Sequence, residues 1–140
     1  MATLSNPTLK IDPLTGTSYR VTAKVTVQFT PQELSLINPT SGRPLVNVKL
    51  ESKLWGSDFG EPRLGGDDQL LTFPTANITR SATYTFSKVV SGTSLNEDSY
   101  LGDRDEIYNQ FKLTSQIPGF ISKTRNSTIV TGFYGPSGPA

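Results

Sequence analysis

The sequence predicts an antiparallel β-sandwich of about seven or eight strands, with a β-barrel as the alternative. Three observations predict it. Apolar residues recur with a period of two, Gly, Pro, Asn and Asp clusters separate the alternating runs, and helix signals are sparse. Alternation of this kind turns one row of side chains to a core and the other to water.

Taken in order, a short early strand is placed around Thr8 to Ile11. From Tyr19 to Phe29 the odd positions are Tyr19, Val21, Ala23, Val25, Val27 and Phe29, while Arg20, Thr22, Lys24, Thr26 and Gln28 fill the even ones. Pro31 ends that strand, because proline has no N–H for a ladder. The following Pro31-Gln32-Glu33-Leu34-Ser35-Leu36-Ile37 suits one short helical turn with proline at its first position. Leu45 to Trp55 resumes the alternation, with Val46, Val48, Leu50 and Leu54 inward and Ser52 a polar exception on that row. Gln69 to Phe73 is a short strand closed by Pro74, and Ser81 to Val90 sets Ala82, Tyr84 and Phe86 against Thr83, Thr85 and Ser87. Glu106 to Thr114 sets Ile107, Phe111 and Leu113 against Tyr108, Gln110 and Lys112. Gly119 to Lys123 and Ser127 to Tyr134 complete the set, divided by a polar turn at Thr124 to Asn126.

The 140 residues are expected to form a single sandwich domain, 1–140, with 135–140 as a flexible tail. The absence of cysteine excludes a disulfide framework, a thiolate zinc site and a cysteine nucleophile. The absence of histidine removes the commonest general base and the serine–histidine–aspartate scheme. A formal net charge of +1 provides no overall field toward nucleic acid or anionic lipid, so no nucleic-acid partner is expected. The polar N-terminal stretch, broken by Pro7, Pro13 and Gly16, does not read as a signal peptide, and no apolar run approaches membrane-spanning length. A soluble chain is expected, with its compartment open. The triplets starting at Asn77 and Asn126 match the glycosylation pattern and are read as coincidence.

Acidic residues are concentrated. Residues 58–106 carry nine acids against four bases, whereas 107–140 carry three bases and no acid. The nine fall in two groups: Asp58, Glu61, Asp67 and Asp68, then Glu97, Asp98, Asp103, Asp105 and Glu106. Both groups run from a leucine (Leu54, Leu95) through an acid and an aromatic residue to glycine, an acid pair or triplet, and an aliphatic strand start. Their spacing suggests a repeated strand–loop–strand unit.

Carboxylates gathered in glycine-rich loops are what calcium takes, typically six to eight oxygens at about 2.3–2.6 Å. Calcium is therefore the expected cofactor, with Asp98, Asp103, Asp105, Glu97, Asp58, Asp67 and Asp68 as candidate ligands. The competing reading makes the same residues turn formers that cap backbone N–H groups, with Arg63 or Arg104 pairing them locally. The two loops resemble those of the calcium-dependent phospholipid-binding sandwich domains. That resemblance implies cations shared by acidic loops at one end of a sandwich, with Phe59, Arg63 and Tyr100 as loop-tip residues.

Trp55 and Tyr100 are candidate ligand contacts, the alternative for Trp55 being packing at the sandwich end. Tyr100, Tyr108 and Tyr134 suggest an exposed aromatic patch for a protein or carbohydrate partner. The expected function is a non-catalytic binding module. The alternative is a structural or self-assembling subunit of a particle, filament or surface layer, for which Thr-rich faces such as Thr22 with Thr26 and Thr83 with Thr85 argue. A homo-oligomer stays open, and a small carboxylate glycosidase ranks third.

Overall fold

The computed structural model describes residues 2–40, 42–56, 68–95 and 105–132. Two antiparallel sheets face one another and do not close into a barrel, so the architecture is the expected sandwich. The first sheet has the order β1 (Thr3–Pro13), β2 (Ser18–Gln28), β6 (Ala82–Ser91). The second has β3 (Val48–Gly56) and β7 (Asp105–Ser115) side by side at its centre. One flank of β3 pairs with β4 (Asp68–Thr72) and then β5 (Ala76–Ile78). One flank of β7 pairs with β8 (Ser122–Asn126) and then β9 (Val130–Gly132).

Central strand β2 shows how the pattern becomes structure. Tyr19, Val21, Ala23, Val25 and Val27 are all buried, while Arg20, Lys24 and Gln28 are exposed. The inner row of β3 and β7 answers it with Val48, Leu50, Leu54, Ile107, Phe111 and Leu113. Phe86 of β6 bridges the layers, with ring centroids 5.8 Å from Phe73 and 6.4 Å from Phe111. At such separations the tilted rings add contact energy to the area they bury.

Helix α1 (Pro31–Ile37) carries the chain from the first sheet to the second and buries Ile37. Thr30 accepts from the Glu33 N–H at 3.2 Å, and Glu33 Oε1 accepts from the Thr30 N–H at 2.8 Å, a complete capping box. Glu33 Oε2 also accepts from the Ala2 N–H at 3.0 Å, which fastens the start of β1 to the helix. The second helix, α2 (Gly92–Leu95), is a single turn after β6 that buries Leu95, and the alternation gave no sign of it.

Several expectations are corrected. The early strand is eleven residues long and not four; a register shift between Ser5 and Thr8, with Asn6 at φ 50°, hides its alternation. β3 begins at Val48, and Leu45 lies outside it at 67% exposure. Thr124 to Asn126 form strand β8, because they pair with Gln110 to Lys112; the interruption falls instead at 127–129. Gly119, at φ 81°, belongs to the turn before β8 and not to a strand. Tyr108 lies on the outer row of β7 yet is only 4% exposed, so it is not part of an exposed aromatic patch. Leu54 precedes a hairpin within one sheet, whereas Leu95 ends α2 on a crossover between sheets, so the acidic segments do not repeat one structural unit.

Candidate functional site

Strand direction sorts the connections to two ends of the sandwich. At one end the first sheet terminates in the pairs Pro13–Tyr19 and Ser18–Ser91. The second sheet terminates in Gly56 paired with Asp68 on one side and Ile107 on the other, and in Asp105 paired with Gly132. The chain therefore leaves β3 at Gly56 and re-enters at Asp68, then leaves β6 at Ser91 and re-enters at Asp105, all at this end. α1 and Asn47, with Gln116 beside it (Asn47 Nδ2 donating to Gln116 Oε1 at 2.8 Å), occupy the opposite end.

Both acidic groups are thus anchored at the same end by the ladder register. Asp68 is the first residue of β4 and Asp105 the first of β7. With β3 between them, their Cα atoms are about 12 Å apart, from strand spacings of about 4.8 Å and a two-residue offset. Asp58, Asp67, Glu97, Asp98, Asp103 and Tyr100 lie outside the described residues, as do Tyr134, Phe59, Glu61, Arg63 and Arg104. Among the described residues, no three acids come together as a metal-binding group.

Trp55 is described and belongs to this end. It occupies the outer row of β3, half-buried, with Tyr108 of β7 directly opposite on one side and Gln69 of β4 on the other. Such directly opposed side chains stand about 4.5–5.5 Å apart at Cβ, close enough for aromatic contact. The register shift between Leu54 and Trp55 accompanies this pairing, and bulges of this kind re-aim a side chain near a strand end. The indole N–H of Trp55 is buried and has no hydrogen-bond partner among the described residues. Packing and ligand contact, the two readings of Trp55, meet here: the ring is half-covered beside a covered tyrosine, at the end where the acidic segments begin.

Deeper in the second sheet lies a polar group that the sequence reading reached only through Ser52. Ser52 and Asn109 are fully buried on the inner rows of β3 and β7. Asn109 Nδ2 donates to Ser52 Oγ at 2.8 Å, and the Asn109 N–H donates to Ser127 Oγ at 2.9 Å. The Ser127 N–H in turn donates to the Asn109 carbonyl at 2.9 Å. The serine hydroxyl serves the ladder where β8 stops and β9 has not begun, so the backbone remains satisfied across the interruption. Asn109 was hidden because its neighbours Tyr108 and Gln110 hold the outer row, and an amide reads as solvent-facing.

No protein-family model and no curated protein sequence matches the chain, and the likeness to calcium-dependent phospholipid-binding domains gains no family match. Solved structures similar to it include β-glucosidase 3B from Thermotoga neapolitana, at TM-score 0.38 and 11% identity over 94% of this chain. The chain spans 16% of that enzyme's length. A structural-genomics target is similar at TM-score 0.33 and 13% identity, over 97% of this chain and 88% of the other. A late embryogenesis abundant protein is similar at TM-score 0.38 and 19% identity, over 94% of this chain and 68% of the other.

Proposed function

We propose that the chain is a non-catalytic binding module whose ligand end is the end of the sandwich bearing the acidic segments, with calcium as its cation. The observation that carries the reading is the shared anchorage of those segments: Gly56, Asp68, Ser91 and Asp105 all lie at one end. The described ends of two segments far apart in sequence thereby share one end of the sandwich. Trp55, half-buried at the same end and backed by the covered Tyr108, supplies an aromatic flank for a ligand. The lack of histidine and cysteine favours binding over catalysis.

Carboxylates held close without a cation repel one another, and a cation that binds only the folded chain stabilises it. At a hundredfold excess over Kd the gain is about 2.7 kcal/mol. For a domain of this size it raises the thermal midpoint on the order of 5–15 °C. A melt in about 5 mM calcium against one in chelator is expected to show that rise. Asp103→Asn with Asp105→Asn is expected to abolish it. No shift in the parent chain, or an equal shift in the double variant, returns these acids to turn formation.

A further inference from the structure

Among the described residues four strand edges bound the two sheets, and three of them are interrupted. β1 is broken by the register shift at Asn6 and Pro7. The flank of β3 is split into β4 and β5 around Pro74, and the flank of β7 is split into β8 and β9. Interruptions of this kind are how sheets avoid pairing with other chains. The fourth edge, β6, pairs with β2 over ten consecutive residues without a register shift and contains no proline. Ser87, Lys88 and Val89 are exposed in succession, Val89 at 51%, so both faces of the strand are open there.

The hydrogen-bonding parity of β6 follows from the end of its ladder. Gly92 N–H donates to the Thr17 carbonyl at 2.7 Å, and Thr17–Gly92 continues the register of Ser18–Ser91. Even-numbered residues of β6 therefore direct their backbone groups to β2. Thr83, Thr85, Ser87, Val89 and Ser91 direct theirs away from it, because antiparallel ladders alternate strictly.

We propose that β6 is a pairing edge for a second copy of this chain, joined antiparallel about a two-fold axis at Phe86, so that the two three-stranded sheets become one. Self-pairing follows from the edges themselves. Among the described residues β6 is the uninterrupted edge, so the strand best able to accept a partner is also the one best able to supply it. A two-fold at Phe86 keeps inner rows with inner rows and sets Thr85 opposite the partner's Ser87 and Thr83 opposite the partner's Val89. Each of these pairs is hydrogen-bonded through the outward-directed groups, and threonine with β-branched residues suits such positions. Lys88, the single charged residue of β6, then faces the ring of the partner's Tyr84 and not another lysine, an arrangement that favours cation–π contact along its aliphatic stem. Nine residues a side, 82–90, fall short of the roughly twenty to thirty of a standard interface, so the dimer is weak and concentration-dependent. The two acidic ends would point in opposite directions, independently of what they bind.

Sedimentation equilibrium from about 1 to 300 µM is expected to show the mass rising from 15.2 kDa toward twice that value. Ser87→Pro removes an outward N–H and leaves the β2 ladder intact, and it is expected to keep the chain monomeric with an unchanged β-type circular dichroism spectrum. The chain has no native cysteine, so Thr85→Cys with Ser87→Cys provides a second readout: oxidation is expected to yield a covalent dimer, with several-fold less from either single variant. A parent chain monomeric throughout the range overturns the proposal. So does a folded Ser87→Pro variant that still dimerises. Should Ser87→Pro fail to fold, absence of the double-cysteine cross-link overturns it.

Discussion

Val25 and Lys24 are adjacent in sequence and opposite in energetics. Val25 is fully buried in the middle of β2, the central strand of its sheet, and Lys24 is exposed on the other face. Val25→Ala is expected to cost on the order of 1–3 kcal/mol in urea unfolding, from lost transfer energy and a residual cavity. Lys24→Ala is expected to cost under about 0.5 kcal/mol. Asn109 poses the opposite problem, a polar side chain among apolar ones. Its Oδ1 is buried without a partner among the described residues, while its Nδ2 holds Ser52 Oγ. Asn109→Ala alone is expected to destabilise by about 1–3 kcal/mol, because it strips Ser52 of its donor and opens a cavity. Ser52→Ala combined with Asn109→Leu removes both polar partners and nearly restores the volume, so the pair is expected to be close to neutral or stabilising. Equal losses in the single and the double variant would mean that the hydrogen bond itself matters and the volume does not.

Glu33 joins two elements through one side chain. It is 8% exposed and accepts from the backbone N–H groups of both Thr30 and Ala2. Removing it leaves a buried N–H at the edge of β1 and another at the helix start. Glu33→Ala is expected to lower stability by about 2–3 kcal/mol, more than the roughly 1 kcal/mol of a lost cap in Thr30→Ala. The difference, measured by denaturant titration, isolates the tie between α1 and β1. At the same start of β1, Arg125 Nη1 donates to the Leu4 carbonyl at 2.8 Å, linking β8 of one sheet to β1 of the other. With Lys123, which like Arg125 pairs with an inner-row residue of β7, it places cations along a sheet edge, and such charges discourage strand addition.

The whole molecule is polar in two senses. Connections divide between an end with α1 and an end with the acidic anchor points, and among the described residues sheet edges divide between three interrupted flanks and one continuous strand. These divisions make the proposed calcium response and the proposed dimer separable. A Ser87→Pro chain that stays monomeric is expected to retain the full calcium-dependent rise in its thermal midpoint, since β6 pairing and the acidic end use different residues.

Strands β2, β3, β6 and β7 are legible in the sequence because each keeps most of one face on the core, with Ser52, Lys88 and Asn109 the polar exceptions on those rows, and such alternation is not maintained by accident. The helix at Pro31 is legible from its proline and the Thr30–Glu33 spacing. Strand β1 is legible only in part, since one extra residue at Asn6 and Pro7 reverses the faces midway. Strand β8 is legible only at its start, Ser122 and Lys123, because an edge strand needs few buried residues and its polar run from Thr124 to Asn126 reads as a turn. The concentration of acids in two segments is a property of the sequence alone. That both segments spring from the same end of the sandwich, that Trp55 meets Tyr108 and that β6 is left as an edge among the described residues were decided by tertiary structure. Strand order and register are set by contacts between residues distant in the chain, and a local pattern carries no information about which distant partner is chosen.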